Sequence, residues 1–314
     1  MIFSFFSFAA SEHKKEKVKE MAKIVNLDPK TIVNVFFPTD GGRWTDQIIS
    51  AYVQQLSMVK STLNFVNVSW TKGADLNIFL NNVKSANPDI VFLPDDLLFS
   101  FLGPEIQKIT KAQIVFVSFH TEKEKLAGIV SNPIGVIAEA PVDILLKNAR
   151  LMTGKINSIG IVGGPFAEQM INHIKSKLGS VKVESSFTGS WHEYSKTLKT
   201  FSEKYDAIWP LAAFGVKQTD GSPVTDAQLN SLIEELQKIC FGYGKISGFK
   251  RTLDMDIDPV VLGRNAAALT FSYMKGEKVS TTAFTSYAMG ISESHLKRLH
   301  LTVPESLKGF VSLR

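Results

Sequence analysis

The sequence predicts an α/β protein made of two units, each a parallel sheet with helices on both faces. Three observations carry this. Apolar runs rich in β-branched residues alternate with longer segments of helical spacing. The strand-like runs are apolar throughout rather than at every second residue, which is the pattern of a strand covered on both sides. The alternation runs from about residue 30 to 125 and then restarts over about 135–250.

In the first unit, residues 31–37 (TIVNVFF) read as a buried strand. Residues 45–58 place Ile48, Ile49, Tyr52, Val53 and Leu56 on one helical face, with Thr45 as N-cap. Strands follow at 63–68, 89–93 and 113–119, with helices at 75–84 and 104–110 between them. The second unit opens on a helix at 144–152. Strand 158–162, helix 167–178, strand 181–186, helix 193–204 and strand 206–209 follow. An amphipathic helix over 226–240 and a strand over 245–249 complete it. The tail reads as helix 259–275, strand 283–291 and helix 292–299.

At 314 residues, 44% hydrophobic and 21% charged, the chain has ordinary globular composition and the length of two domains. Its 35 Lys+Arg against 30 Asp+Glu leave a net charge of +5 spread along the chain. Nucleic-acid binding normally needs a concentrated basic stripe, and there is none. One cysteine, Cys240, excludes an intrachain disulfide and a cysteine zinc site. No run of 18 apolar residues occurs, so no spanning helix is expected. Residues 1–10, MIFSFFSFAA, resemble the end of a signal peptide, with small residues placed for cleavage, although the basic leading region is missing and the run is short. This feature points to export.

The two units share a local device. In the first, a strand runs through Thr39, Asp40, Gly41, Gly42, Arg43 and Trp44 into a helix; in the second, a strand runs through Gly163, Gly164, Pro165 and Phe166 into a helix. Open parallel sheets bind ligands beyond the carboxyl ends of their strands, where helix-start amides favour anions. Taken singly, each Gly-Gly also suits a tight turn. Arg43 reads either as a solvated first-turn cation or as a paired hydrogen-bond donor to a ligand carboxylate.

Organised catalytic chemistry is missing. Gly242, Gly244 and Gly248 look like a dinucleotide loop but are expected after a helix and before a strand, the reverse of the required context. Gly154-Lys155 lacks the rest of a phosphate-binding loop, and no G-x-S-x-G elbow exists. The six histidines (His13, His120, His173, His192, His295, His300) show no metal-ligand spacing. Cys240, placed on an apolar helix stripe, reads as core. The acid pairs Asp95/Asp96 and Asp254/Asp256 read as solvated or capping residues on turns.

The tail carries a resemblance. Leu262-Gly263-Arg264 opens a helix, Lys275-Gly276-Glu277 turns, and Ile291-Ser292-Glu293-Ser294-His295-Leu296 leads to Leu299-His300-Leu301-Thr302-Val303-Pro304-Glu305-Ser306-Leu307. With the stretch from Gly135-Val136 through Pro141-Val142 to Lys155–Ile161, this resembles the ABC-transporter substrate-binding protein family related to tryptophan/tyrosine-binding proteins, over about residues 30–310. The resemblance implies a type I periplasmic-binding-protein architecture: two Rossmann-like lobes joined by a three-stranded hinge, with a ligand closed between them. It implies a signal-like, charged segment over 1–29, lobe one over 30–128 plus 250–282, and lobe two over 129–249 plus 283–314. It further implies a periplasmic or otherwise extracytoplasmic monomer without cofactor, metal or catalytic residue. That monomer would deliver an amino-acid-like, aromatic or apolar carboxylate to an ABC permease. The lipobox cysteine of many relatives has no counterpart near the start. A ligand-sensing module that signals to a membrane partner is the alternative.

Ligand contacts are then expected from the strand ends: Thr39, Asp40, Arg43, Trp44, Asp95, Asp96, Ser118, Phe119, His120, Thr121, Glu139, Gly164, Phe166, Ala213, Phe214, Thr252 and Asp254. Trp44, Phe119, Phe166 and Phe214 are candidates for apolar walls. Two segments depart from the family's polar turns, Pro210–Phe214 in place of T-D-N and Phe119–Glu122 in place of T-D-P, which suggests a less polar ligand or one held by stacking.

Overall fold

The computed structural model describes residues 33–39, 43–58, 63–69, 75–118, 126–165, 167–211, 215–243, 251–284, 286–308 and 311–313. The signal-like segment 1–29 lies outside them. In chain order the first elements are β1 (Val33–Thr39), α1 (Arg43–Ser57), β2 (Leu63–Ser69), α2 (Leu76–Ala86), β3 (Ile90–Leu93), α3 (Asp96–Ile109), β4 (Gln113–Ser118), α4 (Leu126–Ile129) and β5 (Ile134–Ile137). Then come α5 (Val142–Thr153), β6 (Ser158–Gly163), α6 (Glu168–Lys177), β7 (Lys182–Phe187), α7 (Trp191–Lys204), β8 (Ala207–Pro210), α8 (Asp226–Glu235), β9 (Ile239–Tyr243) and β10 (Leu253–Ile257). The tail is α9 (Pro259–Met274), β11 (Thr282–Ala283), β12 (Tyr287–Ile291), α10 (Glu293–Arg298), α11 (Glu305–Lys308) and β13 (Val311–Leu313).

These elements fall into two compact units. The first takes the chain through Ala138 plus Pro259–Phe284, and the second takes Glu139–Asp258 plus Thr285 onward. The first unit's sheet has the order β11-β5-β4-β3-β1-β2, and all its pairings are parallel. The second has the order β13-β12-β10-β9-β8-β6-β7, parallel except for β10 with β12. Leaving the added edge strands aside, both sheets repeat one order of second, first, third, fourth and fifth strand. The direction of winding therefore reverses between β1 and β3 in one unit and between β6 and β8 in the other, the switch points at which such sheets bind ligands.

The crossings between units fall at 138–139, 258–259 and 284–285, where the sequence placed them at 128–129, 249–250 and 282–283. Strand β5 pairs with β4 and so belongs to the first sheet, and β10 pairs with β9 and belongs to the second. The helix after each fifth strand serves the opposite unit. Helix α9 follows β10 yet packs on α1, where the Tyr52 and Thr270 hydroxyls meet at 2.9 Å and Tyr52 stacks on Phe92. A Cβ on Gly263 would lie 2.2 Å from the Ile48 carbonyl oxygen and 2.9 Å from the Ala51 Cβ, so the glycine of the Leu-Gly-Arg motif is what lets these helices approach.

Several elements differ from expectation: β5 and β10 stand where no strand was expected, and the expected strand 283–291 divides into β11 and β12, which join different sheets. Helix α3 begins at Asp96 and carries Pro104 inside it, whereas proline suggested a helix start there. Leu98, Phe99, Leu102 and Ile106 are all buried along that helix, and their packing outweighs the lost backbone bond. Helix α1 starts at Arg43, which puts Thr45 inside the first turn rather than at the cap. Helix α8 ends at Glu235. The apolar stretch after it is the buried strand β9, because a short apolar run fits a strand as well as a helix extension. Gly242 therefore lies in a strand, not after a helix, and the expected strand 245–249 lies outside the described residues.

Cys240 is accordingly on β9, fully buried, and burial pushes its thiol up to about 12. The native protein at pH 8 is expected to resist thiol reagents and to release one reactive thiol only in denaturant. Stoichiometric labelling of the native protein within minutes would contradict this placement.

Candidate functional site

Each unit presents its own set of strand ends. In the first, Thr39 closes β1 and Arg43 opens α1, with Trp44 half-buried beside it. At the ends of β3 and β4, three expected residues come together. Asp95 is the N-cap of α3, its carboxylate accepting from the Leu98 amide at 2.7 Å. Asp96 begins that helix, and the fully buried Ser118 hydroxyl at the end of β4 donates to its Oδ1 at 2.5 Å. Asp95 thus satisfies a helix-start amide, as a capping acid should. The neighbouring Asp96 carboxyl group bridges two adjacent strand ends.

In the second unit the switch point is built from backbone. The Gly163 carbonyl accepts from the Thr188 amide at 3.1 Å, and the Gly164 carbonyl from the Ala167 amide at 3.1 Å. A Cβ on Gly163 would stand 2.5 Å from the Ala167 Cβ, so this glycine brings the start of α6 against β6. Across the switch point, the Leu211 amide donates to the Val162 carbonyl at 2.9 Å. The buried Tyr194 hydroxyl donates to the Leu211 carbonyl at 2.5 Å and so anchors the chain leaving β8. Burial, partly offset by Arg251, keeps that phenol strongly raised and protonated.

Three expected residues stand elsewhere. The Glu139 carboxylate lies 3.2 Å from Lys177 Nζ and 4.0 Å from His173 Nε2, and its carbonyl accepts from the Tyr287 hydroxyl. Thr252 and Asp254 lie at the amino end of β10, not at a carboxyl end, because they begin a strand where the sequence suggested a turn. The Thr252 hydroxyl accepts from the Cys240 amide at 2.8 Å and lies 3.1 Å from His295 Nδ1. Nε2 of the same ring is 3.0 Å from the Leu236 carbonyl. This chain of bonds ties β9, α10 and the start of β10 together. Asp254 Oδ1 is 3.5 Å from Arg251 Nη1, with both side chains buried, and a Cβ on Gly242 would strike both residues. Arg251, Thr252 and Asp254 are buried and brace the interior, whereas the Glu139 side chain is only half-buried. Asp40, Phe119, His120, Thr121, Phe166, Ala213 and Phe214 lie outside the described residues.

Sequence reasoning missed Tyr194 and Trp191, whose rings stack 5.8 Å apart at the start of α7, and Phe187, 43% exposed at the end of β7 in register with Gly163. Ser190 immediately before Trp191 was the available signal, being a favoured helix-start residue. Among the described residues no group of histidine, cysteine or acidic side chains is placed to hold a metal ion, and no helix is long and apolar enough to cross a membrane.

No family model matches the chain, and no curated protein is similar to it in sequence. Solved structures are similar in fold. The ABC domain from Streptococcus pneumonia in complex with L-Trp aligns with a TM-score of 0.66 at 14% identity, covering 90% of this chain and 99% of that one. The ligand-free, open form of CD0873, a substrate-binding protein with adhesive properties from Clostridium difficile, aligns at 0.65 and 14% over the same shares. A LacI-family transcriptional regulator from Bifidobacterium animalis aligns at 0.59 and 13%, over 82% and 95%. The chain therefore has the α/β fold of type I periplasmic binding proteins, with the two-unit architecture that its sequence resemblance implied.

Proposed function

We propose that this protein is an extracytoplasmic solute-binding protein that delivers a small amino-acid-like, aromatic or apolar carboxylate molecule to an ABC permease. The observation that carries the reading is the repeated strand order, which gives both units a switch point at their strands' carboxyl ends. The first unit's end holds the Asp95, Asp96 and Ser118 cluster, a fit for a ligand's ammonium or hydroxyl donors. The second offers glycine backbone with an exposed aromatic, Phe187, beside it. From the remaining expectations, Thr39, Asp40, Arg43, Trp44, Phe119, His120, Thr121, Gly164, Phe166, Ala213 and Phe214 stay candidates for contact. Glu139, Thr252 and Asp254 are better explained as bracing. Likeness to a domain in complex with L-Trp and to a substrate-binding protein supports binding rather than catalysis.

A ligand that binds only the folded protein adds RT ln(1 + [L]/Kd), about 2.7 kcal/mol at 100-fold excess over Kd. At about 2–4 °C per kcal/mol for domains of this size, the matching solute is expected to raise the melting temperature by about 5–10 °C. Thermal-shift screening of amino acids and small aromatic carboxylates, with mass spectrometry of any solute released from the purified protein, tests this. Shifts produced only by nucleotides or metal ions would sink the assignment. A second reading, a ligand-sensing module, draws on the likeness to LacI-family regulators. Permease and ATPase genes beside this one favour transport, and a kinase or cyclase gene favours sensing.

A further inference from the structure

The chain passes between its two units at 138–139, 258–259 and 284–285, and one residue of the second unit, Tyr287, is paired or bonded beside two of these passages and follows the third by two residues. Its backbone pairs with Ile257, the last residue of β10, just ahead of the second. Its side-chain hydroxyl donates at 2.7 Å to the carbonyl of Glu139, the first residue beyond the first. Glu139 is gripped again by Lys177 at 3.2 Å, with His173 at 4.0 Å. Within the first unit, the first and third passages are already joined. The Phe284 amide donates to the Ile137 carbonyl at 2.7 Å, in line with the pairing of β11 and β5.

Units linked by a few segments move relative to each other by default, and such motion concentrates in a few residues at element ends. Three independent linkers flex separately, whereas three cross-linked ones flex together. We propose that Tyr287 is a clasp that makes the three linking segments bend as one ribbon and so limits how freely the two units reorient. Burial, and then the Glu139 carboxylate, push its phenol up to about 12, which keeps the hydroxyl a donor under ordinary conditions. The inference needs no bound solute and goes beyond the transport reading.

The test uses the full chain without ligand. Tyr287→Phe keeps the strand pairing and removes only the hydroxyl. Amide exchange in peptides spanning 137–141 and 284–288 is expected to rise about threefold to tenfold, the range that one net hydrogen bond sets. Exchange elsewhere in both units should stay put. Nitroxide labels on Lys111→Cys and Lys196→Cys, one exposed site in each unit, should show a wider distance distribution in the Tyr287→Phe background. The buried Cys240 stays unlabelled. Tyr52→Phe, which loses a hydroxyl contact inside the first unit, serves as control and should leave the distribution unchanged. The proposal is overturned by a Tyr287→Phe distribution identical to wild type, or by exchange that rises evenly over the second unit as plain destabilisation would make it.

Discussion

Replacing Arg251 by alanine is expected to cost the second unit about 3–5 kcal/mol, the range for breaking a buried ion pair from one side. The Arg251 and Asp254 side chains are 1% and 3% exposed, and their charged atoms stand 3.5 Å apart. With the guanidinium gone, the Asp254 carboxylate stays in the interior without its cation, and that desolvated charge is the source of the loss. Removing both charges should be much milder: an Arg251→Met, Asp254→Leu double variant is expected to recover most of the deficit, since apolar replacements of buried pairs are often neutral. Urea titration monitored by hydrogen exchange, which reads the two units separately, measures the difference. A single variant within about 1 kcal/mol of wild type would show that this pair contributes little.

Gly263→Val is expected to cost the first unit about 3 kcal/mol, at the upper end of overpacking penalties. The new side chain would begin where a Cβ already meets the Ile48 carbonyl oxygen at 2.2 Å and the Tyr52 amide nitrogen at 3.0 Å. Both are backbone atoms of a helix and cannot turn aside, so α1 and α9 must separate, which also pulls apart the Tyr52–Thr270 contact. Gly263→Ala meets the same atoms but gains about 1 kcal/mol of helix propensity, so its net loss should be smaller. If the valine variant melts with wild type, α9 packs on α1 differently from this description.

Much of the fold was readable because buried parallel strands announce themselves. Val91, Phe92, Val115 and Phe116 are apolar whichever face they point to, and the helices between them carry clear stripes. The tail motif also had a physical meaning, since its glycine sits at a helix crossing. Failures came where one pattern fits two structures. The run from Leu229 to Tyr243 is apolar at helical spacing and then continuously, and only the pairing of β9 with β8 and β10 separates helix from strand. Asp254 and Asp256 looked like turn residues because acids seldom enter the middle of a sheet. Nothing local to them signals the arginine that neutralises one of them. The candidate site was legible as a set of strand ends, but not in the division between groups that face outward and groups that brace, because that division depends on contacts distant in sequence, such as Thr252 with His295.

The exchange of helices between the units has a consequence for synthesis. All five strands of the first unit's sheet up to β5 leave the ribosome by residue 137, but α9, which covers α1, begins only at Pro259. At about 5–20 residues per second, the nascent chain spends several seconds or more with the α1 face of Ile48, Ala51 and Tyr52 uncovered. The first-made half therefore cannot finish folding ahead of the second, and chaperone demand should peak while residues 139–258 are being translated. For the same reason, a fragment that stops after Ala138 lacks its cover, whereas a rearranged chain joining that stretch directly to 259–284 restores it.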